Sequence, residues 1–111
     1  QERQRYKKRL DYLADKLEMQ SLLTAYPAKL SGGQLQKTAI ARAFITDPPI
    51  LLADEPSGDL DPDNIELVRQ LFSEENARGK SILLVTHDMN PAFDAKTIFA
   101  LEDGEISEVV K

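Results

Sequence analysis

Apolar residues recur every three or four positions near the start of the chain, with charged residues between them. The repeating set is Tyr6, Leu10, Leu13, Ala14 and Leu17. This spacing predicts an amphipathic helix over about residues 3–19, with its charges facing solvent. A second short helix through Leu22 and Leu23, ended by Tyr26-Pro27, could cover its apolar stripe.

Another helix is predicted to begin at Ser31, because Ser31 and Gln34 have the spacing of a capping box. The apolar positions that follow trace one helix face, which carries Leu35, Ala39, Ile40, Ala43 and Phe44. Gly32 and Gly33 have no side chains to shield the first-turn N–H groups. Together with the positive end of the helix dipole, those groups predict a site for an anion such as a phosphate. The alternative is a capped helix whose glycines only permit close packing.

Two short aliphatic runs, residues 50–53 and 82–85, predict strands that are buried on both faces. Between them, Asp61 and Pro62 are typical of an N-cap and a first-turn proline, and Gly79 is typical of a C-cap. The buried side of this helix is predicted to carry Ile65, Val68, Leu71 and Phe72. A strand, a helix and a strand in this order form the crossover of a parallel sheet.

Residues suited to phosphate chemistry follow both strands. Asp54 is placed to hold Mg²⁺, directly or through water, and Glu55 is placed to polarise a water for attack on a phosphoryl group. His87 is the only histidine of the chain, and it would lie at the same sheet edge if the strands are parallel. The plain alternative is a buried strand followed by a solvated acidic turn.

The last part of the chain predicts an antiparallel hairpin. Asn90-Pro91 is expected to cap a short helix that reaches about Ala95. A strand over residues 97–101, a turn at Asp103-Gly104 and a strand over residues 105–110 complete the hairpin.

The amino-acid composition excludes several kinds of protein and site. A hydrophobic content of 41% and a charged content of 30% are ordinary for a soluble globular protein, and the absence of cysteine excludes disulfides and thiolate metal sites. The aliphatic runs are too short to cross a bilayer, so a membrane role is expected to come through a partner.

The amino-terminal end of the chain is basic. Five of the first ten residues are basic and one is acidic, although the whole chain has a net charge of −5. This end could contact nucleic acid or lipid head groups. A solvated helix face explains the same residues, and no aromatic stacking pattern accompanies them.

Gly79-Lys80-Ser81 has the ending of a phosphate-binding P-loop. However, Glu74 stands where the first glycine is required, and the segment leads from a helix into a strand, which is the reverse of the order a P-loop needs. The sequence therefore contains no Walker A motif.

Four motifs in this order and spacing resemble the second half of an ATP-binding cassette (ABC) ATPase. They are Leu30 to Gln34, Ile50 to Glu55, Ser57 to Asp61, and His87. The resemblance implies an α/β fold that forms the carboxyl-terminal part of a P-loop NTPase domain, with parallel strands, crossover helices and a terminal β-hairpin. Residues 1–47 would be part of the helical subdomain, ending in the signature helix. Residues 48–111 would be the part of the α/β core with Walker B, the D-loop and the switch histidine.

The resemblance also implies roles for single residues. Residues 30–34 would be the signature motif, which contacts the γ-phosphate of ATP bound to the opposite subunit of a head-to-tail dimer. Asp54 would be the Walker B magnesium residue and Glu55 the catalytic base. Gly58 to Asp61 would form the D-loop at the dimer interface, with Asp61 among the nucleotide-contacting residues. His87 would sense the γ-phosphate.

The implied function is that of an ATP-binding and ATP-hydrolysing subunit of an ABC transporter. Its cofactors would be ATP and Mg²⁺. Its partners would be a second ABC ATPase subunit and a transmembrane permease, which would hold this cytoplasmic subunit on the inner face of the cell membrane, and no nucleic acid is expected. Residues 26–34 and 55–61 resemble the group that serves lipoprotein release, macrolide export and cell division. Because Walker A lies upstream in this family, this chain alone is expected to be inactive. The resemblance also implies that a central strand of the sheet is missing from this chain. That strand would lie in space between the strands of residues 82–85 and 97–101.

Two other functions remain open from the sequence. One is an ABC-type ATPase acting on DNA, which Pro56 after Glu55 and the lack of flanking coiled-coil heptads disfavour. The other is a non-catalytic partner that supplies only its signature surface in trans.

Overall fold

The computed structural model describes residues 2–20, 30–87 and 94–109. Its described elements are two helices, a strand–helix–strand unit and a terminal hairpin, in the order α1 Glu2–Lys16, α2 Gly32–Phe44, β1 Ile50–Asp54, α3 Pro62–Ala77, β2 Ser81–Val85, β3 Ile98–Glu102 and β4 Glu105–Val109. The predicted α/β fold is confirmed. The helix expected through Leu22 and Leu23 and the one expected after Asn90-Pro91 fall mainly outside the described residues.

The strands form two separate pairs among the described residues. β1 and β2 are parallel, with Asp54 opposite Val85, and α3 is the crossover between them, as predicted. β3 and β4 are antiparallel. Their turn residues Asp103 and Gly104 both have positive φ, 50° and 79°, as a two-residue hairpin loop requires. Among the described residues, no strand pairing joins β2 to β3.

Local sequence signals set the ends of α3. Asp61 is its N-cap, with a carboxylate oxygen that accepts from the backbone N–H of Asn64 at 2.9 Å, and Pro62 occupies the first turn. Gly79, one residue past the C-cap, has a φ of 101°, which a residue with a side chain rarely adopts.

The core is built mainly by the three helices. Its buried members are Leu13, Ala14, Leu17, Met19, Ile40, Phe44, Leu51, Val68, Leu71 and Phe72. The rings of Phe44 and Phe72 pack edge to face with their centroids 5.7 Å apart. The apolar stripe of α1 is therefore covered by α2 and α3, whereas Tyr6 and Leu10 at its amino-terminal end are 40% and 39% exposed.

The prediction that both strands are buried on two faces is wrong. Leu51, Ala53, Ile82 and Leu84 face the helical core, but the alternate residues point away from it. Ile50 and Leu52 are 64% and 72% exposed, and Leu83 and Val85 are 59% and 56% exposed. Side chains alternate across a sheet, so a layer of helix on one side covers only every second residue.

The apolar face of α2 that the sequence outlines is only partly buried. Ile40 and Phe44 are buried as expected, but Leu35 is 44% exposed, Ala39 and Ala43 are exposed, and Lys37 is buried. The observed set of residues 37, 40 and 44 has proper helical spacing, so the buried face is rotated away from Leu35. On α3, Ile65 is only half-buried. None of the helices in the described ranges is long and apolar enough to cross a bilayer.

Candidate functional site

The start of α2 has the predicted capping box. The Ser31 hydroxyl accepts from the backbone N–H of Gln34 at 3.1 Å, and the Gln34 side-chain oxygen accepts from the backbone N–H of Ser31 at 2.9 Å. The first-turn N–H groups of a helix have no acceptor within the helix, so this capped turn presents donors to its surroundings. We call residues 30–34 the glycine turn.

The two glycines lie against the loop that follows β1, residues 55–61, which we call the acidic loop. A Cβ on Gly33 would lie 3.1 Å from the backbone oxygen of Asp59, closer than ordinary contacts. A Cβ on Gly32 would lie 3.8 Å from Cβ and Cγ of Asp59, which is ordinary contact. Close packing therefore accounts for the glycine at position 33 but not for the one at position 32.

Asp54 and Glu55 lie where parallel α/β sheets present ligand-binding residues, at the carboxyl end of β1. Asp54 is the exposed last residue of the strand. Glu55 extends the pairing, because its backbone N–H donates to the Val85 carbonyl at 2.7 Å, and it has a φ of 49°. A non-glycine residue in this left-handed region is uncommon and is often found at functional sites.

Glu55 and His87 are in direct contact at the sheet edge where the sequence places both. Glu55 Oε1 accepts from the backbone N–H of His87 at 2.8 Å and lies 2.5 Å from His87 Nδ1. Glu55 Oε2 accepts from the Thr86 hydroxyl at 2.9 Å, a contact that the sequence analysis missed. Three donors thus fix the orientation of this carboxylate. The His87 ring itself is 91% exposed, so it can meet a ligand or a partner.

These contacts also set the charge of Glu55. Burial alone raises the pKa of its carboxyl, but the hydrogen bonds from the His87 backbone, the Thr86 hydroxyl and the His87 ring outweigh it, so the pKa lies below its ordinary value. Glu55 is therefore ionised at neutral pH. Since an ionised carboxylate can only accept, the hydrogen between it and the imidazole lies on Nδ1.

The fit to Mg²⁺ rests on Asp54 alone. In the described ranges, no three Asp, Glu or His side chains are grouped in a way that could hold a metal ion. Mg²⁺ in phosphate-binding enzymes takes one or two carboxylates, with water and substrate phosphates as its other ligands. An exposed carboxylate at a strand end fits that pattern as one ligand.

Asp61 is placed differently from the other candidates. Its Oδ1 accepts from both nitrogens of Asn64, the backbone N–H at 2.9 Å and the side-chain amide at 3.0 Å. The structure therefore gives Asp61 the capping role that its sequence position indicates, and its nucleotide role stays a prediction.

Sequence reasoning missed the residues that join the glycine turn to the acidic loop. Lys37 is 7% exposed, and its Nζ donates to the Leu17 carbonyl at 2.8 Å and to Asn64 Oδ1 at 3.0 Å. The Gln36 amide donates to the Pro56 carbonyl at 2.8 Å. The available signal was the spacing of Lys37 from Ile40 and Phe44, which places all three on one helix face.

A second cluster of charges lies at the opposite, amino-terminal end of the strands. Glu75 is paired with Arg9 and Arg78, and Asp47 is paired with Lys80 at 2.5 Å and with Arg9 at 3.4 Å. This network fastens α1 to α3 and to the segment before β1. It is remote from Glu55 along the strands and has the character of a structural clamp.

The sequence profile described as ABC transporter matches residues 1–58. A putative ABC transporter ATP-binding protein of Mycoplasma genitalium, MG467, is 43% identical over 105 residues, which are 92% of this chain and 34% of the relative. The macrolide export ATP-binding/permease protein MacB of Escherichia coli is 43% identical over 105 residues, or 95% of this chain and 16% of the relative.

A solved structure is similar over most of the chain. The dimeric structure of MJ0796, described as an ABC transporter cassette, superposes with a TM-score of 0.81 at 37% identity, covering 94% of this chain and 47% of that one. A second structure of MJ0796, in a post-hydrolysis state bound to ADP and Pi, gives the same TM-score of 0.81. This chain thus spans less than half the length of each of these relatives. The matched family profile and these similarities show that the chain belongs to the ABC transporter family, with the fold of part of an ATP-binding cassette and with macrolide export proteins among its relatives.

Proposed function

We propose that this chain is the carboxyl-terminal part of the ATP-hydrolysing subunit of an ABC transporter, in which Glu55 is the catalytic base. The observation that carries the proposal is the triple hydrogen bonding of the Glu55 carboxylate by Thr86 and His87 at the sheet edge. These residues meet because β1 and β2 are paired in parallel and end at the same sheet edge.

The Glu55 carboxylate can accept a proton from a water that attacks a phosphoryl group. A general base must be ionised before it acts, and the lowered pKa of Glu55 keeps it so at neutral pH. The contacts from His87 and Thr86 hold the acceptor in one place, which favours a single position for the water. The exposed His87 ring is suited to contact the γ-phosphate or the partner subunit.

The glycine turn is suited to the ATP of a second subunit. Its exposed residues Ser31 and Gly32 lie at a helix N-terminus, where backbone N–H groups and the helix dipole favour an anion. This surface fits the head-to-tail arrangement that the resemblance implies. The similar MJ0796 cassette is dimeric, which supports the proposal.

Asp54 would hold Mg²⁺, directly or through a water. When bound with ATP, Mg²⁺ neutralises charge on the phosphates, as it does in other P-loop enzymes. The partners proposed are a second ATPase subunit and a transmembrane permease that would hold the complex on the cytoplasmic face of the membrane. Relatives named ATP-binding/permease proteins support the second partner.

The test is the Glu55→Gln variant of the complete protein that contains this chain. The amide keeps the shape of the carboxylate but cannot take the proton, so ATP hydrolysis should fall about 10²- to 10⁴-fold while ATP binding persists. The variant should accumulate as an ATP-bound dimer, visible by light scattering. Glu66→Gln is the matched control, since the Glu66 carboxylate accepts hydrogen bonds from Arg69 and Gln70 of its own helix. Hydrolysis near the wild-type rate by the Glu55 variant would show that another group is the base.

A further inference from the structure

Lys37 is a buried cation whose contacts lead from the glycine turn to the acidic loop. Its Nζ donates to Asn64 Oδ1 at 3.0 Å, and both nitrogens of Asn64 donate to Asp61 Oδ1. Asp61 is the last residue of the acidic loop. Three side chains therefore connect α2, immediately after its first turn, to the end of that loop.

Two further contacts join the same parts of the molecule. The Gln36 amide donates to the carbonyl of Pro56, near the beginning of the acidic loop. Gly33 lies so close to the middle of the loop that a Cβ would stand 3.1 Å from the Asp59 carbonyl oxygen. The acidic loop is thus held against α2 at its beginning, its middle and its end.

We propose that Lys37 and Asn64 are positioning residues that hold the glycine turn and the acidic loop as one unit. The inference rests on the proposed function, in which the glycine turn faces the ATP of a partner subunit and the acidic loop carries Glu55, the catalytic base. A charged donor makes a stronger hydrogen bond than a neutral one, and burial strengthens it further. Since Lys37 is 7% exposed, removal of the Asn64 oxygen leaves a buried ammonium without one of its acceptors.

The same ammonium group fixes α1 to this unit. Lys37 also donates to the Leu17 carbonyl at 2.8 Å, just after the end of α1. A substitution at Lys37 therefore disturbs two contacts, whereas a substitution of the Asn64 side chain acts on the connection to the acidic loop. Asn64 is for this reason the sharper position for a test.

The first experiment measures the relative placement of the two parts directly. A Cβ on residue 32 lies 3.8 Å from the Asp59 Cβ, which is the usual separation in a disulfide, and this chain has no cysteine of its own. Gly32→Cys and Asp59→Cys are introduced into a cysteine-free form of the complete protein, and the rate of disulfide formation is measured. Adding Asn64→Leu should slow the reaction about tenfold, since the two parts then separate more often. Gln70→Leu, an exposed position on α3, should leave the rate unchanged.

The second experiment measures the functional consequence without the cysteines. In the Glu55→Gln background of the complete protein, Asn64→Leu should raise the protein concentration needed for ATP-driven dimerisation about tenfold and leave the ATP affinity of the monomer unchanged. A general structural defect would instead weaken both dimerisation and the binding of ATP to the monomer. If Asn64→Leu does not fold, Lys37→Met tests the same hydrogen bond, and Lys37→Arg, which keeps a cation, should restore dimerisation.

The outcomes separate this inference from the proposed function. If the Glu55→Gln parent does not dimerise with ATP, the proposed function fails. If the parent dimerises and Asn64→Leu matches it in both dimerisation and disulfide rate, the positioning role is overturned and the proposed function stands.

Discussion

Arg9 of α1 and Glu75 of α3 form an ion pair across 66 positions of the chain, and the Glu75 side chain is fully buried. The other Glu75 oxygen pairs with Arg78 at 2.5 Å, and Arg9 Nε also donates to the Phe44 carbonyl at 3.1 Å. These contacts join the three helices at one point. Removing one partner of a buried ion pair is strongly destabilising, because the remaining charge stays buried without full compensation.

The first prediction is that Glu75→Gln lowers the free energy of unfolding by about 3 kcal/mol, because it leaves Arg9 and Arg78 without a buried counter-charge. Urea unfolding of the complete protein measures the change. Glu66→Gln removes a partly exposed partner of Arg69 and should cost at most about 1 kcal/mol. Equal losses in the two variants would contradict the structural importance of the buried pair.

Acid stability depends in part on Asp47. The hydrogen bond from Lys80 lowers its pKa below the ordinary value of 3.8, Arg9 and Arg78 lower it further, and burial opposes the shift. A carboxyl with a depressed pKa contributes stability above its unfolded pKa, and this contribution is lost as the pH falls through the folded pKa. Asp47 therefore contributes its full stabilisation above about pH 5, and the contribution is lost as the pH falls below about 4.

The second prediction follows from that direction. The difference in unfolding free energy between wild type and Asp47→Asn should be constant from about pH 8 to pH 5 and should shrink below about pH 4. Because Asp47 is half-exposed, we expect a modest difference even at neutral pH. If the difference in unfolding free energy grew as the pH fell, the pKa of Asp47 would not be lowered by the fold.

The sequence predicts a structural feature well when residues close to one another in the chain determine that feature. The capping box of Ser31 and Gln34 and the turn at Asp103 were predictable, because neighbouring residues decide them. The meeting of Glu55 and His87 was predictable because two strands with one crossover must end at the same sheet edge.

Predictions failed where distant parts of the chain decide the environment. Lys37 was not expected inside, since its burial depends on acceptors in α3 and after α1. Leu52 was expected to be covered, because an aliphatic run does not tell how many layers cover the strand, yet it is 72% exposed. No local sequence signal marks Glu75 for burial, and only the folded structure brings Arg9 to it.

The third prediction concerns the charge of Glu55. Carbon-13 titration of its carboxyl in the complete protein should give a pKa below the ordinary 4.5, and Thr86→Val should raise that pKa because one donor to the charged form is lost. Thr38→Val is the matched control, since the Thr38 hydroxyl donates to the Gln34 carbonyl instead. An unchanged pKa in the Thr86 variant would show that its hydroxyl does not stabilise the carboxylate.

The fourth prediction separates the two glycines of the glycine turn. Alanine is a better helix former than glycine, so Gly32→Ala, with only ordinary contacts at 3.8 Å, should be neutral or slightly stabilising. Gly33→Ala places its Cβ 3.1 Å from the Asp59 carbonyl oxygen and should be less stable than Gly32→Ala by about 1–2 kcal/mol. Thermal unfolding of the two variants of the complete protein makes the comparison. Equal stability would mean that the acidic loop moves freely away from α2.

The last prediction is that these 111 residues, purified alone, neither bind nor hydrolyse ATP detectably. Most phosphate ligands in P-loop proteins are backbone N–H groups and a lysine of the Walker A loop, and this sequence has no such motif. The exposed Ile50, Leu52, Leu83 and Val85 also form an uncovered apolar sheet face, so the isolated chain should self-associate.

Calorimetric titration with Mg-ATP and light scattering on the same sample test both statements, with the complete protein as the positive control. Adding a complete ATPase subunit with an intact P-loop could restore one composite site, because this chain retains the glycine turn. Binding of Mg-ATP at millimolar or lower concentration by the isolated monomer would show that its nucleotide ligands lie within these residues after all.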